Sequence, residues 1–223
     1  MADNPNVRKL IGEWVLFDGI AKECRQKLAD ASRPIQVGKH ELVYRRGDLA
    51  TGLYVVVHGH VKLSIATDKG PEKVIDLVGP GHSFGEAAMV LSRPYQHNAQ
   101  ALEGGMVLWI PKEAAERAAS SHPSFARQLM ASLAQQCESL EHDIELVNLH
   151  SASERVADYL LHQPIEGGKT KLMFDKRVIA SKLGLKPETF SRALQQLKTQ
   201  GLIAVKGASI LILDMNRLRT AIA

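Results

Sequence analysis

Glu188, Ser191, Arg192 and Gln195 are spaced i, i+3, i+4 and i+7, which puts them on one face of a helix. They are side chains that can read base edges. Arg192 can give a bidentate pair of bonds to a guanine, and Glu188 can accept from a cytosine amino group. Ser191 can bond a base or touch a thymine methyl. Thr189, Lys176, Lys186 and, further along, Lys206 add a hydroxyl and three cations suited to a nucleic-acid surface. The opposite face carries Phe190, Leu194 and Leu197. One helix thus has an apolar back and a hydrogen-bonding front.

Two short helices and a tight turn must hold that front in place. Asp175 is placed to cap the first helix, and Val178, Ile179 and Leu183 give it an apolar side. Gly184 ends it, as a C′ glycine does. Pro187 suits the first position of the second helix, and Glu188 suits the positive end of its dipole. In a helix-turn-helix the second helix enters the major groove, and its N-terminal residues reach base edges. A plain helical hairpin with a solvated polar face fits the same spacing.

At this point the sequence resembles a known family. Glu188-Thr189-Phe190-Ser191-Arg192 is similar to the E-T-[VF]-S-R recognition helix in the FNR branch of the CRP/FNR bacterial transcription regulators. The CRP branch usually carries Gly where this chain has Ser191. The resemblance covers nearly the whole chain.

The composition agrees with a DNA partner. Of 223 residues, 45% are hydrophobic and 23% charged, ordinary for a chain with a proper core. No apolar run approaches the ~20 residues that span a bilayer. The first 20 residues hold Asp3, Glu13 and Asp18 and no long apolar stretch, so neither signal peptide nor membrane partner is expected. Cys24 and Cys137 stand alone, which fits a reducing cytoplasm. Residues 151–223 hold 12 Lys/Arg against 6 Asp/Glu, while residues 1–150 hold 16 against 18. A basic C-terminal third beside a mildly acidic remainder points to a polyanion for that third.

Residues 7–31, with Leu10, Ile11, Trp14 and Leu16, read as a helical lead-in. Short β-branched runs follow: Glu41–Tyr44, Gly52–Val57, His60–Ala66, Glu72–Val78 and Met106–Ile110. Turn signals separate them, among them Arg46-Gly47-Asp48, Asp68-Lys69-Gly70-Pro71 and Gly79-Pro80-Gly81. Strands at such spacing indicate a compact sandwich or barrel. The segments Leu53–Val56, Gly59–Lys62 and Ser83–Glu86 also resemble the double-stranded β-roll of cyclic-nucleotide-binding domains. A short helix over Lys112–Ser120 ends near Pro123, and a long one starts near Ser124. In it Ala126, Met130, Leu133, Cys137, Leu140, Ile144 and Val147 form an unbroken a/d stripe. That stripe suits a parallel dimer seam, which is also what the resemblance implies. A helix lying on its own β-roll competes with it.

Ser151-Ala152-Ser153-Glu154 is a capping box, so a new helix starts there, with Ser151 as a hinge. Gln163–Lys169 reads as a loop. Leu202–Val205 and Ser209–Leu213 read as a hairpin wing with Lys206 at its tip. Asn216–Ile222 would be a short closing helix. The fold class is α+β, with residues 1–123 as β-roll, 124–150 as dimerisation helix and 151–223 as winged helix-turn-helix.

The resemblance implies an effector pocket at Gly85 and Glu86. Where cyclic-nucleotide binders place an Arg-Ser pair, this chain has His97-Asn98. Without a charge-assisted fork for the phosphate, cAMP is a poor candidate. Two isolated cysteines cannot hold an iron–sulfur cluster. The segment from Pro71 to Met89 looks most like the Dnr group, nitric-oxide-responsive regulators, which leaves haem as the cofactor to test. Nine His are present, and none is singled out as a ligand. The expected protein is a homodimeric, effector-responsive regulator that binds a TTGAT-N4-ATCAA-like DNA site and works with RNA polymerase. A small molecule or gas would be its signal. A cAMP-responsive regulator and a cyclic-nucleotide-gated regulatory subunit of an enzyme are the alternatives. No nucleophile–base constellation and no metal-ligand spacing stand out, so an enzyme is not expected.

Overall fold

The computed structural model describes residues 14–66 and 72–222. Leu10, Ile11 and the Asp68–Pro71 turn lie outside the described residues. Contacts divide the chain into two compact units, Met1–Cys137 and Glu138–Ala223.

The described residues of the first unit start with a 3₁₀ turn at Val15–Phe17 and a helix, α1, at Lys22–Ala31. The expected continuous lead-in is therefore broken, and Gly19, at φ +64°, supplies the left-handed residue at the break. Eight strands follow among the described residues. They are β1 Arg33–Val37, β2 Leu42–Tyr44, β3 Gly52–His58, β4 Val61–Ile65, β5 Lys73–Val78, β6 Ser83–Phe84, β7 Asn98–Ala101 and β8 Gly105–Pro111. They form two antiparallel four-stranded sheets, ordered β1-β8-β3-β6 and β2-β7-β4-β5.

Strand β3 explains its own unbroken apolar run, because both its faces are buried. Tyr54 and Val56 join the core between the sheets. Leu53 and Val55 join a second core with Phe17 and Leu28. An unalternating strand is the expected pattern for burial on both faces. Strand β1 is an edge, which tolerates the proline at Pro34.

Helix α2 spans Glu86–Val90 and α3 spans Lys112–Ser121. Helix α4 then runs unbroken over Pro123–Leu149. The two units divide inside α4, after Cys137. Phe125 and Leu129, in its first turns, are buried in the same core as Phe17, and the Phe17 and Phe125 rings stack at 6.2 Å.

In the second unit α5, Ala152–Leu161, starts on the capping box. The Ser151 backbone N–H donates to Glu154 Oε2 at 2.6 Å, and the Glu154 N–H donates back to Ser151 Oγ at 3.4 Å. Strand β9 is Lys169–Lys171, so the loop expected over Gln163–Lys169 gives way to a strand at its last residue. Helix α6 is Lys176–Lys182, α7 is Pro187–Thr199, β10 is Ile203–Lys206, β11 is Ser209–Ile212 and α8 is Met215–Thr220. The three strands make one sheet in the order β10-β11-β9. Phe190, Leu194 and Leu197 are buried with Val156, Leu160, Ile179 and Ile210 in the core of this unit.

Candidate DNA interface and sensory pocket

The helix-turn-helix is built as its residues dictate. The Asp175 carboxylate accepts from the Arg177 backbone N–H at 2.7 Å, capping α6. Gly184, at φ +67°, takes the left-handed position that ends it. Pro187 is the first residue of α7. With Phe190, Ala193, Leu194 and Leu197 buried, the front is left open: Glu188, Ser191, Arg192 and Gln195 are all exposed. Thr189 is half-buried, and Arg192 Nη2 donates to its Oγ1 at 3.4 Å. That bond draws the guanidinium toward the N-terminal end of the helix, the end that meets bases in this motif.

Cations surround the front. Lys176 shares a shallow groove with Ser191, Gln195 and Lys198. Lys186 occupies the N-cap of α7 and makes no capping bond. A cation at the positive end of a dipole is locally unfavourable, and an anion bound there would relieve it. Lys206 is exposed at the end of β10, beside the tight turn where Gly207 has φ +63°.

Arg155 was not foreseen. Its guanidinium donates to the carbonyls of Val147 at 2.6 Å, His150 at 2.9 Å and Leu183 at 3.3 Å. One side chain thus satisfies the last carbonyls of α4 and the end of α6. Lys182 adds a 2.5 Å pair with Asp143 of α4.

In the sensory unit Gly85 has φ +87° and starts α2, and a Cβ there would come within 3.2 Å of the Tyr95 ring. Glu86 is fully buried. Its Oε1 accepts from Ser132 and Gln136 of α4, each at 3.3 Å, while Oε2 has no hydrogen-bond partner. Burial pushes its carboxyl above the ordinary value, and Ser83, Gln136 and Ser132 hold back part of the rise. His97 is half-buried and its Nε2 lies 2.9 Å from the Tyr44 hydroxyl. Burial lowers its imidazole from the usual 6.5, against the pull of Asp76, so the ring is neutral near pH 7. Asn98 Oδ1 accepts from the Arg46 backbone N–H at 2.8 Å, pinning the Arg46-Gly47-Asp48 turn. Both residues at the position of the missing Arg-Ser pair are therefore engaged within the fold.

The space between the sheets is filled by aromatic rings. Tyr44 stacks on Tyr95 at 3.7 Å, and Tyr54 stacks on Phe84 at 5.3 Å. A haem inside the roll would need the volume these rings occupy, and an axial imidazole. His97 packs on the Tyr44 ring at 5.8 Å, but its Nε2 is already committed to the Tyr44 hydroxyl. As folded, the residues between the sheets do not fit a haem.

Along α4 two faces separate. Phe125, Leu129, Ser132 and Gln136 turn toward the β-roll unit that α4 starts from. Met130, Cys137, Leu140, Ile144 and Val147 are exposed and Leu133 is half-buried, leaving most of the a/d stripe open along one side. The start of α4 therefore lies on its own β-roll, while the a/d stripe occupies a different, open face.

A third grouping also escaped the sequence reading, which found no metal-ligand spacing. His142 of α4, Asp158 of α5 and His162 at the C-cap of α5 converge, with one ligand atom from each within 4.8 Å of the others. The i, i+4 pair Asp158–His162 was the available signal. His142 lies too far along the sequence for spacing to reveal it.

Residues 34–122 match the cyclic nucleotide-binding domain family, and residues 154–221 match the Crp-like helix-turn-helix domain. The transcriptional activator protein anr of Pseudomonas aeruginosa is 28% identical over 195 residues, covering 84% of this chain and 79% of that protein. The structure of FixK2 from Bradyrhizobium japonicum is 30% identical with a TM-score of 0.78, covering 86% of this chain and 98% of that one. DNR from Pseudomonas aeruginosa is 29% identical with a TM-score of 0.54, covering 99% of both chains. With a β-roll, a long helix and an exposed recognition helix in place, these likenesses identify the chain as a DNA-binding transcription regulator that belongs to the CRP/FNR superfamily, near its FNR/Dnr branch.

Proposed function

We propose that this regulator binds, as a homodimer, a palindrome of the form TTGAT-N4-ATCAA, with half-site centres about one helical turn apart. Arg192 reads the guanine of each half-site, Glu188 and Ser191 read its neighbours, and Gln195 extends the front. Lys176, Lys186 and Lys206 hold the backbone. The supporting observation is the recognition helix, whose Glu188, Ser191, Arg192 and Gln195 are exposed together over a buried back. Dimerisation runs along Met130, Leu133, Cys137, Leu140, Ile144 and Val147. The protein acts in the cytoplasm, with RNA polymerase as its partner at the promoter.

Signal reception is proposed to act through the Glu86 contact with Ser132 and Gln136, which ties the effector region to the first half of α4. An effector that alters this contact would bias the packing of the two long helices, and with it the distance between recognition helices. The signal is a small molecule or gas rather than a cyclic nucleotide, because no arginine stands at the phosphate position. Haem, raised by the Dnr likeness, is tested by the visible spectrum of the protein after haem addition. A stoichiometric Soret band would show that the rings give way, and its absence removes haem from the account. Selection of bound duplexes from a random pool tests the DNA reading. It should return an inverted repeat with TTGAT arms, and a single unpaired motif would overturn the dimeric reading.

A further inference from the structure

The second unit contains a grouping that DNA binding does not use. Asp158 is buried within α5, its carboxylate facing two imidazoles. His142 Nε2 lies 3.2 Å from Asp158 Oδ2, and His162 Nδ1 lies 3.3 Å from the same oxygen. The two rings are 5.6 Å apart and tilted by 58°. Around a tetrahedral zinc ion with bonds of ~2.1 Å, neighbouring donor atoms stand ~3.4 Å apart. Two of the three donor separations already match, and all three atoms lie within 4.8 Å of one another. The Asp158 side chain is 11% exposed, while those of His142 and His162 are 45% and 66% exposed. A buried carboxylate thus meets solvent beside two exposed nitrogen donors.

We infer that His142, Asp158 and His162 form a binding site for a divalent first-row transition metal ion, with Zn(II) as the representative. Two imidazoles and one carboxylate suit borderline metals and disfavour Mg(II) and Ca(II), which prefer all-oxygen shells. To admit the ion, His142 and His162 close on it. His162 Nδ1 gives up its 3.0 Å contact with the Asp158 carbonyl, or the ring turns to offer Nε2.

The position gives the site a consequence. His142 belongs to α4, Asp158 to α5 and His162 to the C-cap of α5, on either side of the turn at His150–Ser151. A bound ion staples the end of the long helix to the first helix of the DNA-binding unit. His142 follows Leu140 by two positions, about 200° around the helix, so it faces away from the a/d stripe and stays accessible in a dimer. This coupling, unlike the site itself, rests on the proposed function.

The test uses full-length protein stripped with a chelator and titrated with Co(II), then Zn(II). One Co(II) per chain should give the intense visible bands of a tetrahedral N/O site, and Zn(II) should bleach them. His142→Gln and His162→Gln each remove an exposed side chain and should fold normally by circular dichroism. Each should weaken Co(II) binding at least about tenfold, as loss of a ligand or its support does, and abolish the Zn(II)-induced rise in Tm. Asp158→Asn should do the same, with its melting curve as a folding control. Co(II) uptake unchanged in the His variants would place the ion elsewhere. No uptake at stoichiometric concentration would reduce the grouping to one hydrogen bond on a buried carboxylate and one on its backbone carbonyl. Either result overturns the site. If Zn(II) binds as expected but leaves operator affinity unchanged, the site stands and its coupling to DNA is refuted. If the protein takes up metal and binds no DNA under any condition, the failure falls on the proposed function.

Discussion

Glu86 shows how much of the sensory unit rests on one carboxyl. It is buried, its Oε2 lacks a partner, and burial raises its proton affinity. A carboxyl whose folded pKa is raised costs stability as pH climbs past the unfolded value of about 4.5. Glu86→Gln keeps a group that can bond Ser132 or Gln136 and removes that cost. The variant should melt like the wild type at pH 4 and above it at pH 8, and a constant difference across that range would contradict the burial argument. Lys206 answers to a different force. Lys206→Ala should lower DNA affinity equally for all sequences and reduce the salt slope by about one. A change in preferred sequence would instead make Lys206 a base reader. At this scale the sequence showed the recognition face, because helical spacing alone puts Glu188, Ser191, Arg192 and Gln195 together. It did not show Arg155, Glu86 or His142 with their partners, because those pairings join different elements of the chain.

Helix α4 packs one face on the β-roll and leaves its a/d stripe open on another, where the dimer seam is proposed. Heptad spacing made Met130, Leu133, Cys137, Leu140, Ile144 and Val147 visible. The line Phe125, Leu129, Ser132, Gln136 was missed because polar residues end it. Leu140→Asp would place two like charges across the proposed two-fold axis, at a cost of several kcal/mol. The variant should sediment as a monomer and lose operator binding, whereas an unchanged dimer would put the seam elsewhere. Arg155 is the matching test at the end of the helix. Arg155→Ala leaves the carbonyls of Val147, His150 and Leu183 without this donor. A loss of about 2 kcal/mol is expected in urea unfolding of the protein. A loss within experimental error would mean that water replaces the guanidinium without penalty.

Across the molecule, the β-roll was legible where strands are long and β-branched, as in β3, β4 and β5. Strands β1, β6, β7 and β9 were not foreseen. Arg33–Val37 contains a proline and exposed polar residues, Ser83–Phe84 has two residues, and Asn98–Ala101 and Lys169–Lys171 have compositions typical of loops. Their pairing with neighbours made them strands, a tertiary effect that local propensity does not carry. The charge asymmetry was legible in full, because it needs no fold. The basic third contains the winged helix and the mildly acidic part the β-roll, so a DNA complex should weaken steeply with salt. The most direct measurement of the central claim is a fluorescence titration at fixed salt. It uses wild type and Arg192→Ala, each with the TTGAT-N4-ATCAA duplex and with one whose guanine in each arm is replaced. Wild type should prefer the intact duplex by about 1–3 kcal/mol per half-site, and Arg192→Ala should bind both alike, at the weaker affinity. Equal binding of the two duplexes by the wild type would contradict the account.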